Sequence, residues 1–279
     1  MRIIKDRLIA GIVRDLCIKA NLELRRDILT ALKLAKKRDS SAKARRILGI
    51  IIENAGLAKK KRIPICQDTG MVVVYLKVGK DVKIKGSIDK AVKIGVGKAY
   101  KEGRFRKSIV KDPLVRKNTN TNLPPIIYTQ IAPGTKIDIR VAIKGFGCEN
   151  TSSIRMFRPT DPTSIIEDFV IDTVSQSGSK ACPPVYIGVG IGGTLDKAVA
   201  LSKEAVFRPA GVRSKKAHIA RLEHNILKKV NRLKIGPMGV GGNTTALGVS
   251  VLTYPTHIAG LPVAVNISCH ATRDARKVV

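Results

Sequence analysis

Between Ile3 and about Lys60 the apolar residues recur at helical spacing, with Leu8, Ile12 and Leu16 falling on one face. The pattern breaks near Asn21 and again at "RDSS", where Ser40 or Ser41 is placed to cap the helix that follows. It predicts a helical opening of about three helices within residues 1–62. Cys17 lies beside Val13 and Leu16 on the apolar face and is expected in the core.

After Pro64 the texture changes. The β-branched runs "MVVVYLKV" (71–78), "KIDIRVAIKG" (136–145) and "PVAVNIS" (262–268) predict strands, punctuated by glycine and proline. Helical patterns return over 87–103, over 162–178 and along the segment from about Thr194 to Leu233. Together they predict an α/β fold of the mixed α+β kind, a helical N-terminal segment packed on mixed β-sheets with surrounding helices. No internal repeat or low-complexity linker interrupts the chain. Residues 1–279 are therefore expected to form a single domain, with 1–62 as the helical opening and 63–279 as the α/β part.

Composition narrows the function. A chain of 279 residues with 44% hydrophobic content has enough material for a sizeable core. Its apolar runs are much shorter than the roughly 18 residues of a membrane span, so no membrane partner and a cytoplasmic location are expected. The five cysteines, at 17, 66, 148, 182 and 269, are odd in number and form no C-x-x-C pair. That spacing argues against a disulfide framework, and any metal site would have to be assembled by folding from distant segments. Lys plus Arg number 52 against 21 Asp plus Glu, a net charge of +31, which favours polyanions, an acidic partner subunit or small anionic substrates. Aromatic residues make up only 4% and Trp is absent, so the basic stretches lack the rings that stack on bases. A basic nucleic-acid-binding protein is thus the alternative from a different class, and the composition argues against it.

Two glycine-rich loops raise the question of phosphate binding. "GVGIGG" (188–193) satisfies G-x-G-x-x-G ahead of a helix starting near Thr194, but two prolines precede it in "ACPPVYI". The residues at 208–216 are basic where a dinucleotide fold wants an acid, which argues against that fold. "GPMGVGGNTTALG" (236–248) has the same character of backbone NH groups and hydroxyls without fixed charge. Two such loops suit an anion pocket or tight loops over a buried cofactor, or else plain turns between strand and helix.

Cys66, Cys182 and Cys269 share a setting, each standing where regular structure gives way to a polar or glycine-rich loop. In order, "IPICQDTG", "NTNTNLPP", "CPPVYIGVGIGG", "GPMGVGG" and "LPVAVNISCHATR" resemble the α subunit of the two-subunit class I fumarate hydratases. These are iron–sulfur enzymes related also to L-tartrate dehydratase, and the resemblance runs from the helical opening to the last few residues. It implies an oxygen-sensitive [4Fe-4S] cluster held by three thiolates, which would here be Cys66, Cys182 and Cys269. One iron would stay open as a Lewis acid for the hydroxyl and a carboxylate of malate. Cys148, in "GFGCEN", stands where relatives commonly carry Ser or another small residue and is left out of the ligand set.

By the same carry-over, Gln67 and Asp68 look like the substrate-contacting pair, with Asp68 a candidate for proton handling. Arg106 aligns with the arginine that grips a substrate carboxylate, Gly147 would supply a backbone NH, and His257 corresponds to the active-site histidine. His218 and His224 read as surface, and His270 borders the third ligand. Single-chain relatives continue into a second domain that supplies a catalytic threonine and further basic contacts to substrate. The resemblance therefore implies a separate β subunit, in an α2β2 heterotetramer. The expected reaction is reversible hydration of fumarate to L-malate, a step of the tricarboxylic acid cycle on a small dicarboxylate, with the L-tartrate dehydratase α subunit as the alternative.

Overall fold

The computed structural model describes residues 2–279. In chain order the elements are β1 (Arg2–Lys5), α1 (Asp6–Leu22), α2 (Arg26–Arg38), α3 (Ala42–Lys61), β2 (Met71–Gly79), β3 (Val82–Lys85) and α4 (Ile88–Glu102). Then follow β4 (Ile126–Ala132), β5 (Ile137–Lys144), the short α5 (Phe146–Glu149), β6 (Ser153–Phe157), α6 (Thr163–Ser177), β7 (Val185–Ile191) and α7 (Leu195–Ala205). The chain ends with α8 (Ala217–Arg232), β8 (Ala246–Thr253), β9 (Leu261–Ser268) and β10 (Arg273–Val278). This is the mixed α/β fold that the pattern predicts. Among the described residues no helix is long and apolar enough to cross a membrane.

The helical opening contains the three helices its periodicity predicts, with Ser41 as the cap: its hydroxyl accepts from the Ala44 amide at 3.2 Å. Arg2–Lys5 depart from it. Ile4 is buried while Ile3 is exposed, and this alternation pairs β1 in parallel with β3 before the helix starts at Asp6. The segment 194–233 also departs from a single long helix. Pro209 and Gly211, the latter at φ +88°, separate α7 from α8.

The chain divides into two compact units, one built from the described residues through Leu24 with Ala55–Phe146 and Arg273–Val279, the other from Arg25–Asn54 and Gly147–Thr272. In the first, a four-stranded sheet runs in the order β10-β5-β2-β4, with β2 antiparallel to β5 and parallel to β4. Ile137, Ile139, Val141 and Ile143 of β5 alternate with half-exposed residues and point one face at α1 and α4. There they join Val13, Leu16, Val92, Val96 and Tyr100 in one core, each large aliphatic side chain contributing about 1.5–3 kcal/mol. Cys17 is fully buried in this core, as expected, and burial pushes its thiol up so that it stays protonated.

The second unit has a four-stranded sheet in the order β6-β9-β7-β8, antiparallel except for the β7–β8 pair. One face, through Ile187, Val189, Val265 and Ile267, packs on α6 and α8 residues such as Val170, Val174, Ile226 and Val230. The other face of β7 carries Gly188 and Gly190. A Cβ on either would stand 2.1 Å from the Ser202 carbonyl oxygen or 2.0 Å from that of Ala198, so these glycines let α7 lie directly on the strand. Close helix–strand packing therefore accounts for the first half of "GVGIGG" without any phosphate.

Candidate active site

In the first unit the segment after Pro64 turns sharply into β2. The Ile65 amide donates to the Asn21 carbonyl at 2.9 Å, and Ile65 is buried, which fixes where Cys66 begins. Cys66 is half-buried, its sulfur 3.5 Å from the exposed Gln67 side-chain oxygen. Asp68 is half-buried and both its carboxylate oxygens are engaged: Oδ1 accepts from the Gly70 amide at 2.9 Å and Oδ2 from the Phe146 amide at 2.7 Å. Gly70 sits at φ +64° with the Lys144 carbonyl oxygen 2.5 Å from where a Cβ would be, so the turn admits no side chain there. Thr69 donates its hydroxyl to the Arg106 carbonyl at 2.5 Å. Gln67, Asp68 and Arg106 thus share one neighbourhood with Cys66, and the Arg106 side chain is exposed.

In the second unit two thiol-bearing segments meet at one end of the sheet. Tyr186 of β7 pairs with Ser268 of β9, so Cys182 shortly before the one strand and Cys269 immediately after the other emerge side by side. Cys182 has φ +49° and ψ 63°, a left-handed conformation that a residue with a Cβ adopts at a cost of order 1 kcal/mol. The His270 ring nitrogen Nδ1 lies 2.9 Å from the Cys182 carbonyl oxygen. Because a carbonyl only accepts, Nδ1 carries the proton and Nε2 of the neutral ring is left as an acceptor. Thr272 donates its hydroxyl to the Cys269 carbonyl at 2.9 Å.

The second glycine loop backs this corner. The Met238 amide donates to the Pro183 carbonyl at 2.8 Å, and Gly236, at φ +68°, turns so tightly that a Cβ would lie 1.8 Å from the Gly241 oxygen. Gly147 is exposed in α5, and a Cβ there would be 3.4 Å from the Lys180 carbonyl, two residues before Cys182. Cys148 is buried, its sulfur 3.5 Å from the Ala181 oxygen, a packing position behind the Cys182 turn. His257 stands on the exposed β8–β9 loop, where its Nδ1 accepts from the Ala259 amide at 3.2 Å. That contact puts the proton of the neutral ring on Nε2. His218 and His224 are exposed on α8.

Each unit therefore gathers part of the expected set: Cys66, Gln67, Asp68 and Arg106 in the first, Cys182 and Cys269 with Gly147 and His270 in the second. Tyr100, Asn122 and Arg273, which hold the Cys66 segment from behind, do not emerge from the sequence reading. "NTNTNLPP" was the one available signal. Among the described residues no three His, Cys, Asp or Glu side chains are grouped to hold one metal ion. A cubane makes a different demand, since each thiolate binds its own iron and soft sulfur donors are required. The thiol chemistry fits that demand: Cys66, Cys182 and Cys269 are half-exposed at turns, whereas Cys17 and Cys148 are buried in the two cores.

The sequence profile described as "Fumarate hydratase (Fumerase)" matches residues 10–278. A Methanocaldococcus jannaschii protein provisionally named L(+)-tartrate dehydratase subunit alpha is 39% identical over 276 residues, covering 96% of each chain. The L(+)-tartrate dehydratase subunit alpha of Escherichia coli K12 is 30% identical over 256 residues, 91% of this chain and 84% of its own. That of Escherichia coli UTI89 is 30% identical over 250 residues, 88% and 82%. With nearly the whole chain matched on both counts, this protein belongs to the fumarate hydratase (fumerase) family of hydro-lyases, on the side of its alpha subunits.

Proposed function

We propose that the chain is the α subunit of a [4Fe-4S] hydro-lyase that adds water reversibly to fumarate, giving L-malate. The observation that carries this reading is the family match over residues 10–278, which takes in all three thiol-bearing segments and every carried-over site residue. Cys66, Cys182 and Cys269 would hold the cluster, which supplies when bound an open iron acting as a Lewis acid on the substrate hydroxyl.

The remaining work falls to side chains and amides of the chain itself. Gln67, exposed beside Cys66, offers an amide donor and acceptor to the substrate. Arg106 presents an exposed guanidinium for a substrate carboxylate, a charge-assisted contact worth about 1.5–3 kcal/mol. Gly147 offers a main-chain NH. Asp68 keeps its carboxylate on two amides, so it orients the loop carrying Gln67, and each oxygen retains a second lone pair that can take a proton. His257, with Nδ1 occupied by the Ala259 amide, holds its exchangeable proton at Nε2.

The relatives' designation as alpha subunits supports a β partner, in an α2β2 assembly whose other chain completes the site. The charge of +31 suits an acidic partner, and a cytoplasmic location accords with an oxygen-sensitive centre. Anaerobic purification with the β subunit, followed by iron and sulfide analysis and a fumarate hydration assay, tests the reading. Cys66→Ser, Cys182→Ser and Cys269→Ser should each abolish cluster binding and turnover, while a cluster-free protein that hydrates fumarate would refute the proposal. A second reading, L(+)-tartrate dehydration, is favoured by the names of the relatives at 39% and 30% identity. Comparing kcat/KM for the two substrates decides between them, and a higher value for L-tartrate moves the assignment.

A further inference from the structure

Three consecutive main-chain carbonyls after Gln67 are each held by a different buried side chain. Arg273 Nη1 donates to the Asp68 oxygen at 2.6 Å, Tyr100 Oη to the Thr69 oxygen at 2.5 Å, and Asn122 Nδ2 to the Gly70 oxygen at 3.2 Å. All three donors are at least nine-tenths buried: Arg273 is 5% exposed, Tyr100 and Asn122 0%. Such a density of buried polar groups around a loop has a desolvation cost that an ordinary turn does not need.

Tyr100 Oη also lies 3.4 Å from the Gly70 oxygen, within the same turn, whereas the second partner of the Asn122 amide is on the Arg106 segment. Asn122 Oδ1 accepts from the Ser108 amide at 2.7 Å, two residues beyond Arg106. The surrounding "NTNTN" run folds back on the same stretch: Asn118 donates to the Lys107 carbonyl at 2.9 Å and the Thr119 amide to the Ile109 carbonyl at 2.8 Å. The hydroxyl of Thr69 closes the circuit on the Arg106 carbonyl. One planar amide thus spans the segment that carries Gln67 and Asp68 and the segment that carries Arg106. Asn122 itself sits at φ +60°, a backbone conformation that Asn tolerates better than most residues with a Cβ.

We propose that Asn122 is a positioning residue for substrate binding, its side-chain amide fixing the separation between the Gln67–Asp68 turn and the Arg106 segment. The inference rests on the reading that these residues contact a dicarboxylate. A clamp of this kind acts on substrate through Arg106, so its loss is felt only while Arg106 is present. A purely stabilising asparagine would show no such dependence.

A double-mutant cycle on the assembled, cluster-loaded enzyme separates the two. Asn122→Ala should raise KM for fumarate about tenfold, the equivalent of about 1.4 kcal/mol, with kcat and iron content much less affected. In an Arg106→Ala background the same change should move KM less than about twofold. An additive rise in that background, or an unchanged KM with Arg106 intact, overturns the inference and leaves the assignment of Arg106 standing. An unchanged KM in Arg106→Ala alone removes the underlying assignment instead. If Asn122→Ala fails to fold, Asn122→Asp enters the same cycle, since it keeps the acceptor for Ser108 and loses the donor to Gly70. Amide hydrogen exchange on the cluster-free chain gives an independent reading. Asn122→Ala, which removes both contacts, should lower protection at 68–70 and 106–108 together, and loss confined to one segment overturns the proposal.

Discussion

The two thiol-bearing regions are built on opposite principles. The Cys66 segment is held by polar side chains reaching in from α4, from the loop before β4 and from β10, each satisfying one carbonyl. The Cys182–Cys269 corner is held mainly by backbone: a left-handed cysteine, a turn around Gly236, and a strand lying under α7 because two positions lack a Cβ. The first design fails by degrees when a hydrogen bond is removed, and the second fails abruptly when an atom is added. Gly190→Ala is the most severe way to expose the difference. Its methyl would stand 2.0 Å from the Ala198 oxygen and 2.6 Å from the Ser202 nitrogen, both backbone atoms of α7 that yield only if the helix moves. A loss of about 3 kcal/mol or more is expected, read as a fall in the denaturant midpoint. A loss below about 1 kcal/mol would mean that α7 is not locked to β7.

On the other side of the comparison, Tyr100→Phe removes a single hydroxyl and adds nothing. Burial pushes the Tyr100 phenol up, and the nearby Cys17 thiol pushes the same way, so the group is a hydrogen-bond donor at any physiological pH. Without it the buried Thr69 carbonyl loses its partner, at a cost of about 1–3 kcal/mol in stability. Chemical denaturation measures the loss, which should be graded and clearly smaller than that of Gly190→Ala. Equal losses would erase the contrast between the two designs.

Much of this was readable in the chain, for a reason that also marks the limit. Helices α1, α4 and α6 and strands β2, β5 and β9 are amphipathic or continuously apolar, so periodicity alone finds them. Strand β10 reads "RDARKV" and escapes that test. Its place at the sheet edge comes from cross-strand ion pairs, Arg276 with Asp138 at 2.7 Å and Arg140 with Asp274 at 2.5 Å, which no local pattern encodes. Arg276 also holds the Asp138 carboxyl below the usual carboxylate range. The division of the helical opening between two units left no trace in composition, because α1 and α2 carry the same kind of apolar stripe. At the site, the three cysteines announce themselves by the loops they enter. Tyr100 instead reads as one more helical core residue and Asn122 as one more polar turn residue, because their partners lie 31 and 52 positions away.

The smallest expected effect concerns pH and again sets the first unit apart. Cys17 and Tyr100 are buried acids whose folded pKa values are raised, so the folded chain keeps protons that the unfolded chain gives up. With more protons bound in the folded state, stability falls as pH rises. The contribution is intact below the unfolded thiol value of about 8.5 and declines above it. Between pH 8 and 9.5 the thiol alone should cost about 1 kcal/mol, measured as a falling midpoint in denaturant titrations of the cluster-free chain. Cys17→Ala removes the titrating group, so it should lower stability at neutral pH by the lost packing yet flatten the slope across that interval. An unchanged slope would mean that the alkaline loss arises elsewhere, and that the buried face of α1 does not set the pH limit of the unit holding Cys66.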